Sequence, residues 1–131
     1  MTLTIVLTDQ VPGGKTSGVR EGYTKSGRKY RYPNARFVNW RQGASTEILV
    51  QRAKWDMETK MKLPLNTNLL MRISYRPMNR IKRDLTGMQD AVQHLLEYNE
   101  IVQDDACIKY CAWDMPYRED GPCMIIYLTE V

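Results

Sequence analysis

Leu69-Leu70-Met71-Arg72-Ile73-Ser74-Tyr75 is the stretch whose reading decides the fold. Leu69, Met71, Ile73 and Tyr75 fall on one side of an extended chain and Leu70, Arg72, Ser74 and Arg76 on the other, the two-residue period of a strand with one apolar face. Pro77 ends it by removing a ladder donor. Downstream the period changes. Leu85, Met88, Val92, Leu95 and Leu96 recur at helical spacing and predict a helix over about Leu85 to Tyr98 with those residues as its buried stripe.

Outward from this pair, the same two periods sort the rest of the chain. Leu3, Ile5 and Leu7 give a first strand. Phe37, Trp40, Ala44, Ile48 and Trp55 give a long helix that Asn34 can cap and that runs to about Lys60, with Gly43 a weak point costing about 1 kcal/mol against Ala. Pro64 and Asn66-Thr67-Asn68 separate that helix from the strand at Leu69. Ile108 to Trp113 and Met124 to Thr129 read as two further strands, joined through the turn chemistry of Glu119-Asp120-Gly121-Pro122. Between Pro12 and Pro33 the chain is rich in Gly, Ser and cations, and residues 12–33 are expected to be a basic, flexible loop. The order β-α-β-α-β-β predicts an α+β fold: one mixed four-stranded sheet with two helices, in a single domain spanning residues 1–131.

Composition agrees with one domain, since 131 residues with 43% hydrophobic content make a modest core and leave no room for a second. The formal charge of +4 is mild, but Lys15, Arg20, Lys25, Arg28, Lys29, Arg31, Arg36 and Arg41 crowd the first third against only Asp9 and Glu21. Clustered cations of this kind are the footprint of a polyanion partner, with a solvated loop as the plainer reading. Tyr23, Tyr30 and Tyr32 among them resemble the interleaving that stacks bases, or else anchor the loop to the domain. Cys107, Cys111 and Cys123, an odd set without a signal-peptide pattern upstream, argue against a disulfide framework and for packed thiols. With His94 they fit no common zinc spacing. No window approaches a transmembrane helix, so no membrane partner is expected and the chain reads as cytoplasmic. Gly14-Lys15-Thr16 is not a Walker A loop, because Asp9 stands where that motif needs its first Gly. Lys15 fits better as a phosphate contact.

Arg80-Ile81-Lys82-Arg83-Asp84-Leu85, opening the second helix, carries the chemistry. Asp84 alone suits a helix N-terminus, but Arg80, Lys82 and Arg83 beside it oppose the helix dipole, which is expected where a phosphate restores the balance. Asp104-Asp105, past the far end of the same helix, supplies a second acidic point that a turn can bring back towards the first. Thr86 and Asp90 share a helix face one turn apart, with Cβ atoms about 5–6 Å from each other. His94 reads as a surface or partly packed histidine rather than a catalytic base.

Arg83-Asp84-Leu85, the helix after it, Val102-Gln103-Asp104-Asp105-Ala106 and the strand beginning near Ile108 resemble the signature half of the RusA family of Holliday junction resolvases. Those are small, dimeric, magnesium-dependent nucleases encoded mostly by phages and prophages. Upstream, a short first strand, Val11-Pro12-Gly13-Gly14-Lys15, a basic loop and a helix with an aromatic near its start follow the family order more weakly. The family pattern Arg-Asp-Leu-Asp-Asn, with Lys four residues after the second Asp, is altered here to Thr86, Gly87 and Asp90. The resemblance implies a homodimer that cleaves four-way or otherwise branched DNA in recombination and repair. It implies Mg²⁺, replaceable by Mn²⁺, at Asp84 and Asp105, with Asp104 and Asp90 as supporting acids and Asp90 acting as a ligand through water. Lys15, Arg28, Lys29, Arg31, Arg80, Lys82 and Arg83 would hold the DNA backbone. The alternative expectation is a RusA-like protein that binds branched DNA but is impaired in cleavage, favoured by Thr86 and Gly87.

Overall fold

Strand β4 (Leu69–Tyr75) has both of its ladders taken: it pairs antiparallel with β6 (Met124–Glu130) on one side and parallel with β5 (Ile108–Asp114) on the other. The structure, a computed structural model, describes residues 2–12, 19–33, 35–58, 62–76, 85–115 and 123–131. A parallel neighbour requires a crossover, and α2 (Leu85–Tyr98) supplies it between β4 and β5. Strand β1 (Thr2–Leu7) pairs antiparallel with β6, giving a mixed four-stranded sheet in the order β1-β6-β4-β5. With α1 (Ala35–Glu58) this is the expected α+β architecture of two helices on one mixed sheet.

The alternation that identified the strands is the alternation of burial. Leu3, Ile5 and Leu7 of β1, Leu69, Met71, Ile73 and Tyr75 of β4, and Met124, Ile126 and Leu128 of β6 enter one core with Phe37, Trp40, Ala44, Ile48 and Trp55 of α1. Helix α2 contributes Met88, Ala91, Val92, Leu95 and Leu96. Leu85, expected in that stripe, is instead 39% exposed: it opens the helix, and the buried arc runs through Gly87, Met88 and Ala91. On the other face of the sheet, Thr4, Leu70, Arg72 and Tyr110 are exposed, with the Arg72 guanidinium 4.8 Å from the Tyr127 ring centre.

Helix α1 also closes the outer edge of β1. The Gln51 amide accepts from Val6 N at 2.8 Å and donates to Val6 O at 2.7 Å, behaving as one more rung of the ladder. Glu47 receives Thr8 N and Thr8 Oγ1 beside it. Gln51→Ala would strand two part-buried backbone groups and is expected to lower unfolding free energy by about 1–3 kcal/mol in urea titration. Gly43 behaves oppositely. Among the described residues a Cβ there would meet only Asp9 Oδ2, at 3.4 Å, so Gly43→Ala should add about 0.5–1 kcal/mol through helix propensity.

The expected loop over residues 12–33 is corrected in its second half. Strands β2 (Val19–Tyr23) and β3 (Lys29–Pro33) form a separate antiparallel ribbon, running from Val19 opposite Pro33 to Tyr23 opposite Lys29. Its composition looked like loop because of its charge, yet Lys29, Tyr30, Arg31 and Tyr32 alternate cation and aromatic with the period of a strand. The turn is closed by Thr24 N to Arg28 O at 2.8 Å, Gly27 N to Thr24 O at 2.9 Å and Arg28 N to Thr24 Oγ1 at 3.0 Å. Gly27, at φ +83°, takes the left-handed position that this turn needs. The expected Asn34 cap, the Pro77 stop and the Glu119 to Pro122 turn lie outside the described residues.

Candidate functional site

The acidic turn is positioned by the end of α2. After Tyr98 the chain reverses through Glu100, a left-handed residue at φ +56°, with Ile101 N bonded to Leu96 O at 2.9 Å. Leu65 then grips it from the neighbouring loop: Leu65 N donates to Ile101 O at 2.8 Å and Gln103 N to Leu65 O at 2.9 Å. Ile101 and Val102 are buried, which leaves Gln103, Asp104 and Asp105 at the surface. Asp104 is extended and caps a short 3-10 turn, Asp105–Cys107, its Oδ1 accepting from Ala106 N at 2.9 Å.

Two carboxylates side by side shift one another's proton affinity in opposite directions. The Ala106 amide and a hydrogen bond with Asp105 hold Asp104 below the usual carboxylate range. Asp105 is pushed above its ordinary value, first by the hydrogen bond with Asp104, then by partial desolvation and by the charges of Asp104 and Asp90. The last contribution matters for the site: Asp90, exposed on α2, stands within electrostatic reach of Asp105 on the turn. Two exposed acids from two elements, Asp90 and Asp105, thus sense one another's charge, with Thr86, also exposed, one helical turn before Asp90.

Not all of the expected site lies within the described residues. Asp84, the first expected ligand, lies outside them, as do Lys15, Arg80, Lys82 and Arg83. Among the described residues, no three of His, Cys, Asp and Glu are arranged to hold a metal ion. Arg28 and Lys29 are exposed at the turn of the ribbon, and Arg31 belongs to β3. Among the described residues no disulfide joins the cysteines. Cys123 is buried, as expected of a packed thiol, whereas Cys107 and Cys111 are only half-buried, and desolvation pushes the Cys111 thiol up and away from reactivity.

One cluster escaped the sequence. Arg41 of α1 lays its guanidinium 4.3 Å from the Tyr98 ring centre and 5.7 Å from that of Phe37, and its NH1 lies 3.1 Å from His94 Nε2. Arg is always a donor, so His94 accepts through Nε2 and keeps its proton on Nδ1 when neutral. The spacing of His94 and Tyr98, four apart on α2, was the available signal; the partner from α1 was not visible. Burial, then the Arg41 charge, lower the His94 pKa, with Glu97 opposing. A base whose folded pKa is lowered loses stability as pH falls, because the unfolded chain binds the proton more readily. The melting temperature should therefore fall between about pH 7 and pH 5, and His94→Gln should reduce that part of the slope.

Comparison with known protein families and with curated proteins finds no match to this sequence. Among the described residues, no helix is long and apolar enough to cross a membrane.

Proposed function

We propose that the chain is a magnesium-dependent endonuclease acting on branched DNA, above all four-way junctions, as a homodimer in recombination or repair. The observation that supports this reading is the charge interaction between exposed Asp90 on α2 and exposed Asp105 on the following turn, hard oxygen donors from two elements. Mutually repelling, outward-facing carboxylates suit a divalent cation, which removes the repulsion. Asp84, Asp105 and Asp90 would hold Mg²⁺ or Mn²⁺, with Asp104 fixing the turn. Bound there, the ion supplies an activated water and neutralises charge developing on the scissile phosphate. Asp105 is pushed above its ordinary value, so cleavage should decline as pH falls while ordinary exposed aspartates are still ionised. The Arg80 to Arg83 cluster and the basic ribbon would hold backbone phosphates on either side.

A second reading, junction binding without efficient cleavage, is favoured by Gly87. It stands where the resemblance implies a polar side chain, and it is buried in α2 with no donor to offer. Competition of a labelled four-way junction by linear duplex of the same sequence tests both readings against a general polyanion binder. A junction displaced equally well by linear duplex would overturn the two together. Nicked product on addition of Mg²⁺ to the bound junction selects the first.

A further inference from the structure

Of the 19 cations and 15 acids in the chain, five cations (Arg20, Lys25, Arg28, Lys29 and Arg31) and one acid (Glu21) lie between Val19 and Pro33. The remaining 14 of each sign cancel, so the whole net charge of +4 sits on the β2–β3 ribbon. From the juxtaposition of that charge with a hydrogen-bonded two-stranded ribbon, we infer that β2–β3 is a groove-entering arm that inserts its turn into the major groove of duplex DNA. This rests on the reading of the chain as a DNA-binding protein, and not on cleavage.

Shape supports the major groove over backbone contact alone. Strands of five residues reach about 17 Å, and a pair of strands about 5 Å apart, with their side chains, fits a groove about 12 Å wide. The B-form minor groove, about 6 Å wide, is too narrow, and the deep, narrow major groove of duplex RNA excludes side chains. The turn is built to present charge: Thr24, Ser26 and Gly27 close it through backbone and hydroxyl bonds, so Lys25 and Arg28 project from a fixed loop. Tyr23, 70% exposed and opposite Lys29 in the ladder, sets an aromatic edge beside the cations at the tip. None of the described side chains of the ribbon belongs to the core. A two-stranded ribbon is marginal alone, and a polyanionic groove is a partner that would hold it.

The test uses the full chain on a four-way junction in EDTA, with dimethyl sulfate reading guanine N7 in the major groove of each arm. Wild type should protect N7 over a short run in the arms. Lys25→Gln, Arg28→Gln and Lys29→Gln combined should lose that protection and flatten the log–log salt dependence of binding by about 2 to 3 for each arm engaged, about 5 for a dimer, while Tyr23→Ala should weaken protection and leave the salt slope unchanged. Duplex RNA of the same sequence should compete at least about tenfold less well. Junction bound with N7 open, or N7 still protected in the triple variant, would overturn the arm while leaving the nuclease reading standing. Protected N7 on a junction that Mg²⁺ never nicks would do the reverse.

Discussion

Asp105→Asn should abolish metal-dependent nicking of a four-way junction, by a factor on the order of 10² or more, while binding of the same junction in EDTA stays within about twofold. The expectation exceeds the 10- to 100-fold typical of an outer-shell partner, because Asp105 is proposed as a direct ligand. Its carboxyl is exposed and supports no core residue, so the amide should leave the fold intact. Asp104→Asn should do less, since an amide oxygen still accepts from Ala106 N. Asp90 gives the sharper contrast. If it acts through water in place of the acid absent at Thr86, Asp90→Asn should abolish cleavage and Thr86→Asp should raise it. If the protein only binds, Asp90→Asn should leave affinity unchanged or slightly improved, because an acid has been removed near phosphate. Efficient cleavage by Asp90→Asn would leave Asp84 and Asp105 as the sufficient pair.

The largest stability effect is expected at Ile73. It is wholly buried on β4, between its partners Trp113 on β5 and Ile126 on β6, in the sheet layer that also buries Met71 and Tyr75. Ile73→Ala removes three carbons from a site held by strands on both sides, which limits collapse around the cavity. A loss of about 3–4 kcal/mol is expected in denaturant titration. For a domain of ordinary stability, about 5–15 kcal/mol, that is about a fifth or more of the total, so solubility in cells should also suffer. By contrast, Leu70→Ala on the exposed face of the same strand should cost less than about 1 kcal/mol.

The four-stranded sheet and both helices were legible because burial imposes its period on the sequence. Leu69, Met71, Ile73 and Tyr75 alternate in the chain as they alternate in the core, and Phe37, Trp40, Ala44 and Ile48 repeat with the turn of α1. Periodicity is harder to read where charge interrupts it: the strands of the β2–β3 ribbon were hidden beneath Gly, Ser and charge, and only Lys29-Tyr30-Arg31-Tyr32 kept a trace of the alternation. Likewise Gln51 carries no sequence signal for sealing β1, because the backbone it meets lies 45 residues away. At the candidate site, the chain order led to the expectation that Asp84 and Asp105 meet across one helix and one turn, and Asp84 lies outside the described residues. That order did not foretell that Asp104 would spend one oxygen on Ala106 N, nor that Arg41 would cross from α1 to His94. Contacts between distant segments are decided by packing, and the residues that make them are ordinary until the fold unites them.

The most direct measurement is single-turnover incubation of the metal-free protein with a labelled four-way junction, started by Mg²⁺ and read on a denaturing gel. Nicks in two opposing strands of the junction, absent in EDTA and absent from linear duplex, are the expected result. A junction that stays bound and uncut with Mg²⁺ and with Mn²⁺ would contradict the nuclease reading.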